Sequence, residues 1–265
     1  MSYIVYLPDD LSRLLAQLLS LLCPMRALGS DLVRIGQDLD GGYVMLDYKL
    51  RDTIAYNFGI SNEVSWDRDM LFLRNVIYQY DHTISDTPLH DTDVKYFKKG
   101  IASSEQEEMV TLSSAIFSNG HQDRNDLILN IDIEGYEYDV LRSIPPETFA
   151  QFSQIVIEYH WFSQALQDKK SLEDYIYAIQ HISKTHQIIH VHGNNFSGFG
   201  VYSGIVVPDV IEATYVRKSD HSFVKNDDYF PTTLDRPNNP NEKDIPLGFI
   251  GFLYDFDGLN GLVRM

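Results

Sequence analysis

The stretch DLILNIDIEGYEYDVL, residues 126–141, carries two acids at the tip of an apolar run, Asp132 and Glu134, with Gly135 directly behind them. Runs of this kind are typical of strands buried on both faces of a sheet. A carboxylate there is costly unless it meets a cation or hydrogen-bond donors. We therefore expect Asp132 to meet a cation or donors, which makes it a candidate catalytic residue, with Glu134 beside it. The alternative is structural, because acidic side chains also stabilise helix starts.

Histidines follow two further apolar runs. His160 ends IVIEYH, and His190 and His192 lie in IIHVHGNN. Asp132, His160 and His192 offer the carboxylate and imidazole ligands of a divalent cation, Mg²⁺ or Mn²⁺. A histidine could instead act as general base toward a hydroxyl, or the histidines could be structural. These interpretations stay open, and Glu158 is expected inside its strand rather than as a ligand.

A glycine-containing turn, FGISNE, follows the first apolar run, and Asp81 follows the second. Gly59 allows a tight turn that exposes backbone N–H groups, and an acid at the next strand end can accept ribose hydroxyls. The pair indicates a nucleoside-type cofactor. The G-x-G-x-x-G fingerprint of dinucleotide-binding proteins is incomplete, and the sequence contains neither a G-x-S-x-G elbow nor a Walker motif.

Alternating strands and helices must position these residues. The predicted strands are Thr53–Phe58, Asn75–Tyr80, Lys95–Ile101, Asp126–Asp132, Gln154–Tyr159, Gln187–Val191, Ile205–Val207 and Ala213–Val216. The predicted helices are Leu11–Leu22, Trp66–Leu73, Ser104–Phe117, Glu137–Ser143 and Ser171–Lys184. This order predicts an α/β fold with a mostly parallel, doubly wound sheet, in which ligands bind beyond the carboxyl ends of the strands.

Composition narrows the possible partners. The 265 residues include 21 Lys and Arg against 38 Asp and Glu, a net charge of −17. Such a chain is not expected to bind nucleic acid or anionic membranes. The single cysteine, Cys23, cannot form an intramolecular disulfide, which permits the cytoplasm, the expected location. The leucines from Leu11 to Leu22 predict a docking helix rather than a signal peptide or a stable membrane insertion.

We expect three regions: a helix and β-turn extension (1–50), a core (51–225), and a polar loop with an apolar tail (226–265). The Asp40-Gly41-Gly42 turn predicts a structural hairpin. The tail LGFIGFLYDF either returns to the body of the protein or covers a partner subunit in a homo-oligomer.

Together, the segments LVRIGQDLDGGYVML, NFGISNEVSWD, YDHTI, LNIDIEGYEYDVL, IVIEYH and HVHGNN resemble the FkbM-like family of S-adenosylmethionine-dependent methyltransferases. The resemblance spans roughly residues 32–218. It implies a class I, Rossmann-like methyltransferase sheet, with Asp132 in the family's D-I-E-G-x-E motif beside the reacting centre. It also implies that the NFGISNE loop, with Phe58, Gly59, Ile60, Ser61 and Glu63, lies near the methionine part of the cofactor, and that Asp81 or His82 lies near its ribose. Ala102, after the third predicted strand, and Asp132 complete the expected cofactor-binding residues.

Members of this family commonly methylate hydroxyls of sugars, so the implied acceptor is a small molecule or glycan from bacterial polysaccharide (capsule, lipopolysaccharide) or natural-product biosynthesis. Two alternatives remain: a nicotinamide-dependent oxidoreductase, which would also place an acid after the second strand, and a glycan- or protein-binding module without catalysis.

Overall fold

The computed structural model describes residues 4–248. The strands in this part are β1 Ile4–Val5, β2 Met25–Ala27, β3 Leu32–Ile35, β4 Tyr43–Leu46, β5 Ile54–Phe58, β6 Val76–Tyr80, β7 Val94–Phe97, β8 Gly100–Ile101, β9 Met109–Val110, β10 Leu127–Ile131, β11 Phe152–Tyr159, β12 His186–Gly193, β13 Phe199–Tyr202, β14 Ile205–Pro208, β15 Ile211–Arg217 and β16 Phe223–Lys225. The helices are α1 Asp9–Leu21, α2 Ser65–Phe72, α3 Leu112–Ser118, α4 Glu137–Ser143, α5 Pro146–Phe149, α6 Phe162–Ala165 and α7 Lys169–Ile182, with a 3₁₀ turn at Lys218–Asp220.

A seven-stranded sheet, in the order β12-β15-β11-β10-β5-β6-β7, forms the centre of the fold. Pairing is parallel from β11 through β10, β5 and β6 to β7, whereas β15 runs antiparallel to both of its neighbours. The carboxyl ends of the parallel strands therefore share one edge. This confirms the predicted α/β fold with a mostly parallel sheet.

The side chains of β10 show that both faces of the sheet are covered by other elements. Leu127, Leu129 and Ile131 pack into one apolar cluster with α1, α3, α4 and α7. Ile128 points the other way, into a cluster with Trp66 of α2 and the β3–β4 hairpin. Because successive side chains alternate between the faces of a strand, two covered faces require apolar residues at nearly every position, and in β10 only Asn130 is polar.

The N-terminal region packs on both sides of this sheet. α1 lies against α7 and buries Leu15, Leu18 and Leu19, as the leucine spacing predicts. β3 and β4 form an antiparallel hairpin around the Asp40-Gly41-Gly42 turn, which confirms that prediction. No helix among residues 4–248 is long and apolar enough to cross a membrane.

Three predicted elements differ from the structure. The strand predicted over 95–101 is two strands, β7 and β8, and the second pairs with β9 outside the central sheet. The helix predicted over 104–117 is confined to α3, because the Thr111 side chain accepts a hydrogen bond from Ser114 N and caps the helix there. The strand at 205–207, β14, belongs to a separate sheet with β13 and β1.

The polar segment 226–248 contacts the core through several hydrogen bonds between side chains. Of the predicted apolar tail, residues 247–256, only Leu247 and Gly248 lie within the described residues. Phe230 pairs with Gly248 through backbone hydrogen bonds. The segment up to residue 248 is therefore a folded part of the molecule.

Candidate active site

The turn after β5 lies directly against the residue that follows β10. Gly59 has a φ of 84°, and a Cβ at this position would lie 1.6 Å from the carbonyl oxygen of Asp132. Asp132 N donates to Phe58 O at 2.9 Å. Only glycine fits here, since a side chain would collide with the neighbouring backbone and the φ disfavours other residues. The predicted cofactor turn and the predicted catalytic acid are thus in contact.

Asp81, directly after β6, fastens this turn. One of its carboxylate oxygens accepts hydrogen bonds from Ile60 N and Ser61 N, both at 2.8 Å. The other accepts from Thr83 N at 2.7 Å and Thr83 Oγ1 at 2.6 Å. Burial opposes the charge, but these four donors outweigh it and lower the pKa of Asp81. A carboxylate offers about four acceptor positions, and in Asp81 all of them are occupied, two by the turn and two by Thr83.

The other predicted cofactor residues differ in their exposure. Phe58 is buried and stacks on Tyr80, with ring centroids 4.9 Å apart. Exposed side chains at the same edge belong to Ser61 and His82, and half-buried Ala102 follows β8. The carboxylate of the half-buried Glu63 accepts from Ser65 N at 2.9 Å, at the start of α2, and from Gln37 Nε2 at 3.3 Å.

His160, directly after β11, lies close to three acidic side chains. Its Nε2 atom faces three carboxylate oxygens: Asp132 Oδ1 at 3.7 Å, Glu134 Oε2 at 3.5 Å and Glu158 Oε1 at 3.7 Å. Glu158 lies inside β11, as predicted, yet its carboxylate also reaches this cluster, which the sequence analysis did not expect. The Glu134 side chain is 77% exposed and lies at the outer rim.

Behind the histidine lies Glu137, which the sequence analysis did not select. Its fully buried Oε1 lies 3.0 Å from His160 Nδ1 and also accepts from Ile133 N and Gly135 N, both at 3.1 Å. These bonds orient the imidazole so that Nε2 points at the cluster. Glu137 is the last acid of the D-I-E-G-x-E motif, which is the signal that could have identified it.

Burial and like charges change the acid–base behaviour of the cluster. Burial, with Glu134 and Glu137 nearby, raises the pKa of Asp132 to about 7. Burial beside Asp132 and Glu212 raises the pKa of Glu158 strongly. Burial opposes the charge on His160, but its bond to Glu137 outweighs burial and raises its pKa. The acids therefore need protons or a cation as compensation.

Asp132, Glu158 and His160 can jointly face one cation, because one ligand atom of each lies within 4.8 Å of the others. Asp132 Oδ1 is buried and has no hydrogen-bond partner among the described residues. Two carboxylates and an imidazole suit Mn²⁺ well and Mg²⁺ through the oxygens. The residues therefore fit a divalent cation.

The structure does not bring His192 into this group. His192 Nδ1 lies 3.0 Å from Glu212 Oε2, and its Nε2 lies 3.0 Å from Asp244 Oδ1. Burial opposes its charge, but these two carboxylates raise the pKa of His192 to about 10. The expectation that His192 is a cation ligand beside Asp132 and His160 is therefore not met. Both ring nitrogens are engaged by acids instead.

The sheet order, with one antiparallel strand among parallel ones and polar residues at the carboxyl edge, defines an α/β protein of the Rossmann-like methyltransferase type. The family model Methyltransferase FkbM domain matches residues 47–194, more than half of the chain. The chain belongs to the FkbM methyltransferase family and is an S-adenosylmethionine-dependent methyltransferase. This sets aside the oxidoreductase and the module without catalysis. A comparison with curated proteins finds no match.

The edge of the sheet fits the cofactor that this family implies. Gly59 places its turn against Asp132, and Asp81 fixes the turn through its backbone N–H groups. The exposed Ser61 and His82 follow the same two strands. These residues would hold the cofactor at the same edge of the sheet as Asp132, because the Gly59 turn contacts Asp132.

Proposed function

We propose that this methyltransferase transfers a methyl group to a hydroxyl of a sugar or a similar small acceptor, in the making of a bacterial glycan or a natural product. The observation that carries the proposal is the contact between the Gly59 turn and the Asp132–Glu158–His160 cluster. A hydroxyl is a poor nucleophile until its proton is removed or its oxygen is bound by a cation. This cluster offers the chemistry for either.

S-adenosylmethionine would supply, when bound, a methyl group on a sulfonium sulfur, which takes the electron pair of the broken C–S bond and departs as the neutral thioether S-adenosylhomocysteine. The chain must then align an acceptor oxygen with that methyl group, and alignment is a large part of catalysis in such displacements. Glu137 holds the His160 ring, and the Gly59 turn fixes the distance between the cofactor side and the cluster. The exposed Glu134 carboxylate at the rim is placed to accept hydrogen bonds from acceptor hydroxyls.

We propose Mg²⁺ or Mn²⁺ as the second component, held by Asp132, Glu158 and His160. A divalent cation there would supply Lewis-acid stabilisation to an acceptor oxygen. The orphan Oδ1 of Asp132 supports this assignment. If no cation binds, His160 Nε2, with Nδ1 held by Glu137, is the atom suited to accept the hydroxyl proton.

Calorimetric titration of the full chain with S-adenosylhomocysteine, before and after removal of metal with EDTA, tests cofactor binding and whether it depends on the cation. Methyl transfer from labelled S-adenosylmethionine to a panel of sugar nucleotides and glycan fragments, assayed with added Mn²⁺, tests the acceptor. Asp132→Asn should abolish transfer but keep S-adenosylhomocysteine binding, and the exposed Asp31→Asn should leave both transfer and binding unchanged. Full activity after EDTA treatment would exclude the cation and leave His160 as base, and transfer to amines alone would exclude O-methylation.

A further inference from the structure

A second group of acids lies next to the first and shares Glu158 with it. Asp40, Glu158 and Glu212 each offer a carboxylate oxygen within 4.8 Å of the other two. They come from the β3–β4 turn, β11 and β15. Glu158 and Glu212 are direct cross-strand partners, an arrangement that is unfavourable for two like charges. The fold therefore holds together three carboxyl groups whose ionised forms would repel one another.

Cationic side chains offset only part of this charge. His192 is bonded to Glu212, but it also serves Asp244. Arg34 interacts electrostatically with Glu212, while its guanidinium donates to the carbonyl oxygens of Gln37 and Leu39. Glu158 and Asp40 receive neutral amides instead, Asn194 Nδ2 lying 3.0 Å from Glu158 Oε1 and 3.3 Å from Asp40 Oδ1. Neutral donors do not remove like-charge repulsion between buried acids.

Asn238, from the polar segment 226–248, enters this group. The residue is 2% exposed, and its Nδ2 donates to Asp40 Oδ1 at 2.9 Å and to Glu212 Oε1 at 2.5 Å. Its Oδ1 atom is buried and has no hydrogen-bond partner among the described residues. A half-turn about the terminal torsion of an asparagine exchanges oxygen and nitrogen at little steric cost. That turn would place a fourth oxygen ligand between Asp40 and Glu212.

We propose that Asp40, Glu212 and Asn238 hold a second divalent cation, which Glu158 bridges to the cation proposed at Asp132 and His160. Four oxygen donors without an imidazole suit Mg²⁺ or Mn²⁺. Two cations linked by one carboxylate would neutralise the like charges of both groups. The segment 226–248 then closes the site by supplying Asn238. The bridge rests on the proposed function for its first cation, whereas the second group of ligands stands by itself.

Manganese titration of the EDTA-treated full chain, followed by calorimetry and by electron paramagnetic resonance, tests this proposal. We expect two Mn²⁺ per chain and a spin-coupled signal instead of the six-line spectrum of isolated Mn²⁺. Asp40→Asn and Glu212→Gln should each bind one Mn²⁺ per chain, with the six-line spectrum. Asp38→Asn, a change of an exposed acid near the same turn, should still bind two Mn²⁺. Two acids are changed because Glu212→Gln also removes a partner of His192.

Asn238→Asp separates the two possible roles of the amide. If the Asn238 oxygen binds the cation, the new carboxylate should keep the second Mn²⁺ and bind it more tightly. If the Asn238 amide serves only as a hydrogen-bond donor, the second Mn²⁺ should be lost. One Mn²⁺ in the parent protein, or two in both Asp40→Asn and Glu212→Gln, would overturn the second site, and two uncoupled signals would overturn the bridge. Asp132→Asn distinguishes the two proposals, because it should remove only the Mn²⁺ at Asp132 and His160. The Mn²⁺ that depends on Glu212 should remain bound, so this variant tests the first cation alone.

Discussion

Glu137 Oε1 lies 3.0 Å from His160 Nδ1, and this buried pair stands behind the cluster of acids at the carboxyl edge of the sheet. The same oxygen accepts from the N–H groups of Ile133 and Gly135, which begin the turn into α4. One carboxylate therefore fixes both the backbone of the D-I-E-G-x-E motif and the direction of the imidazole. Such a partner sets which ring nitrogen carries the proton.

Glu137→Gln should weaken Mn²⁺ binding by roughly 10- to 100-fold, the range typical of partners behind metal ligands. The glutamine keeps the shape of the side chain but loses the charge that favours a proton on Nδ1. ¹⁵N NMR of the histidines should show a changed tautomer for His160, while S-adenosylhomocysteine affinity stays the same. The exposed Glu147→Gln should match the parent protein in each measurement. An unchanged tautomer would show that Glu137 does not orient His160.

Asp81→Asn should lower the affinity for S-adenosylhomocysteine by about tenfold or more, because hydrogen bonds to a charged group contribute roughly 1.5–3 kcal/mol and every 1.4 kcal/mol is tenfold. An asparagine must turn its NH₂ group toward one of two pairs of donors, either Ile60 and Ser61 or Thr83. Calorimetry measures the change, with the exposed Asp123→Asn as control. Equal affinity in the two variants would mean that the turn does not need Asp81 to bind the cofactor.

Local patterns predicted the sheet well, because its strands are decided by burial within short runs. The strands that end at Phe58, Ile131 and Tyr159 are mainly apolar and buried almost throughout, and all three lie where predicted. The prediction of one strand over Lys95–Ile101 was wrong in part, since the second half of this segment pairs with β9 outside the central sheet. Propensity cannot show which partner a strand chooses, as tertiary packing decides it.

The candidate site could be predicted only where residues follow strands in the sequence. Asp132 and His160 were found because each directly follows a buried run. Asp40 and Asn238 were not, because they reach the cluster from a hairpin turn and a polar segment distant in sequence. His192 was predicted in the right region but with the wrong neighbours, since Asp244 comes from that same distant segment.

Gly59→Ala should destabilise the protein by about 2–4 kcal/mol, the range for strain at a special backbone conformation combined with a collision. The new Cβ would lie 1.6 Å from the Asp132 carbonyl oxygen, so the turn or the end of β10 must move. Gly29→Ala is a matched control, with a similar φ of 96° and nothing within 4 Å of its Cβ. It should cost only about 1–2 kcal/mol. Urea unfolding compares the two, and equal costs would show that the contact with Asp132 is unimportant.

Asp67 allows a prediction about pH at a site away from the cluster. It is fully buried in α2, where Asn57 Nδ2 and Gln79 Nε2 donate to its carboxylate at 2.8 and 2.9 Å. Burial is the main cause that raises the pKa of Asp67 to about 6, with Glu63 adding a small repulsion. The folded state therefore holds this proton more tightly than the unfolded state, so the free energy of unfolding falls as pH rises from about 4 to about 6.

Asp67→Asn should remove that pH dependence and raise the free energy of unfolding at pH 7.5 by up to roughly 3 kcal/mol, since about two units of pKa are involved and each corresponds to 1.36 kcal/mol. The new amide can find acceptors, because Asn57 Oδ1 and Gln79 Oε1 are buried without partners among the described residues. Urea unfolding between pH 4 and pH 8 measures both effects, with the exposed Asp52→Asn as control. A variant that is less stable than the parent protein at pH 7.5 would show that the ionised carboxylate stabilises α2 against the sheet.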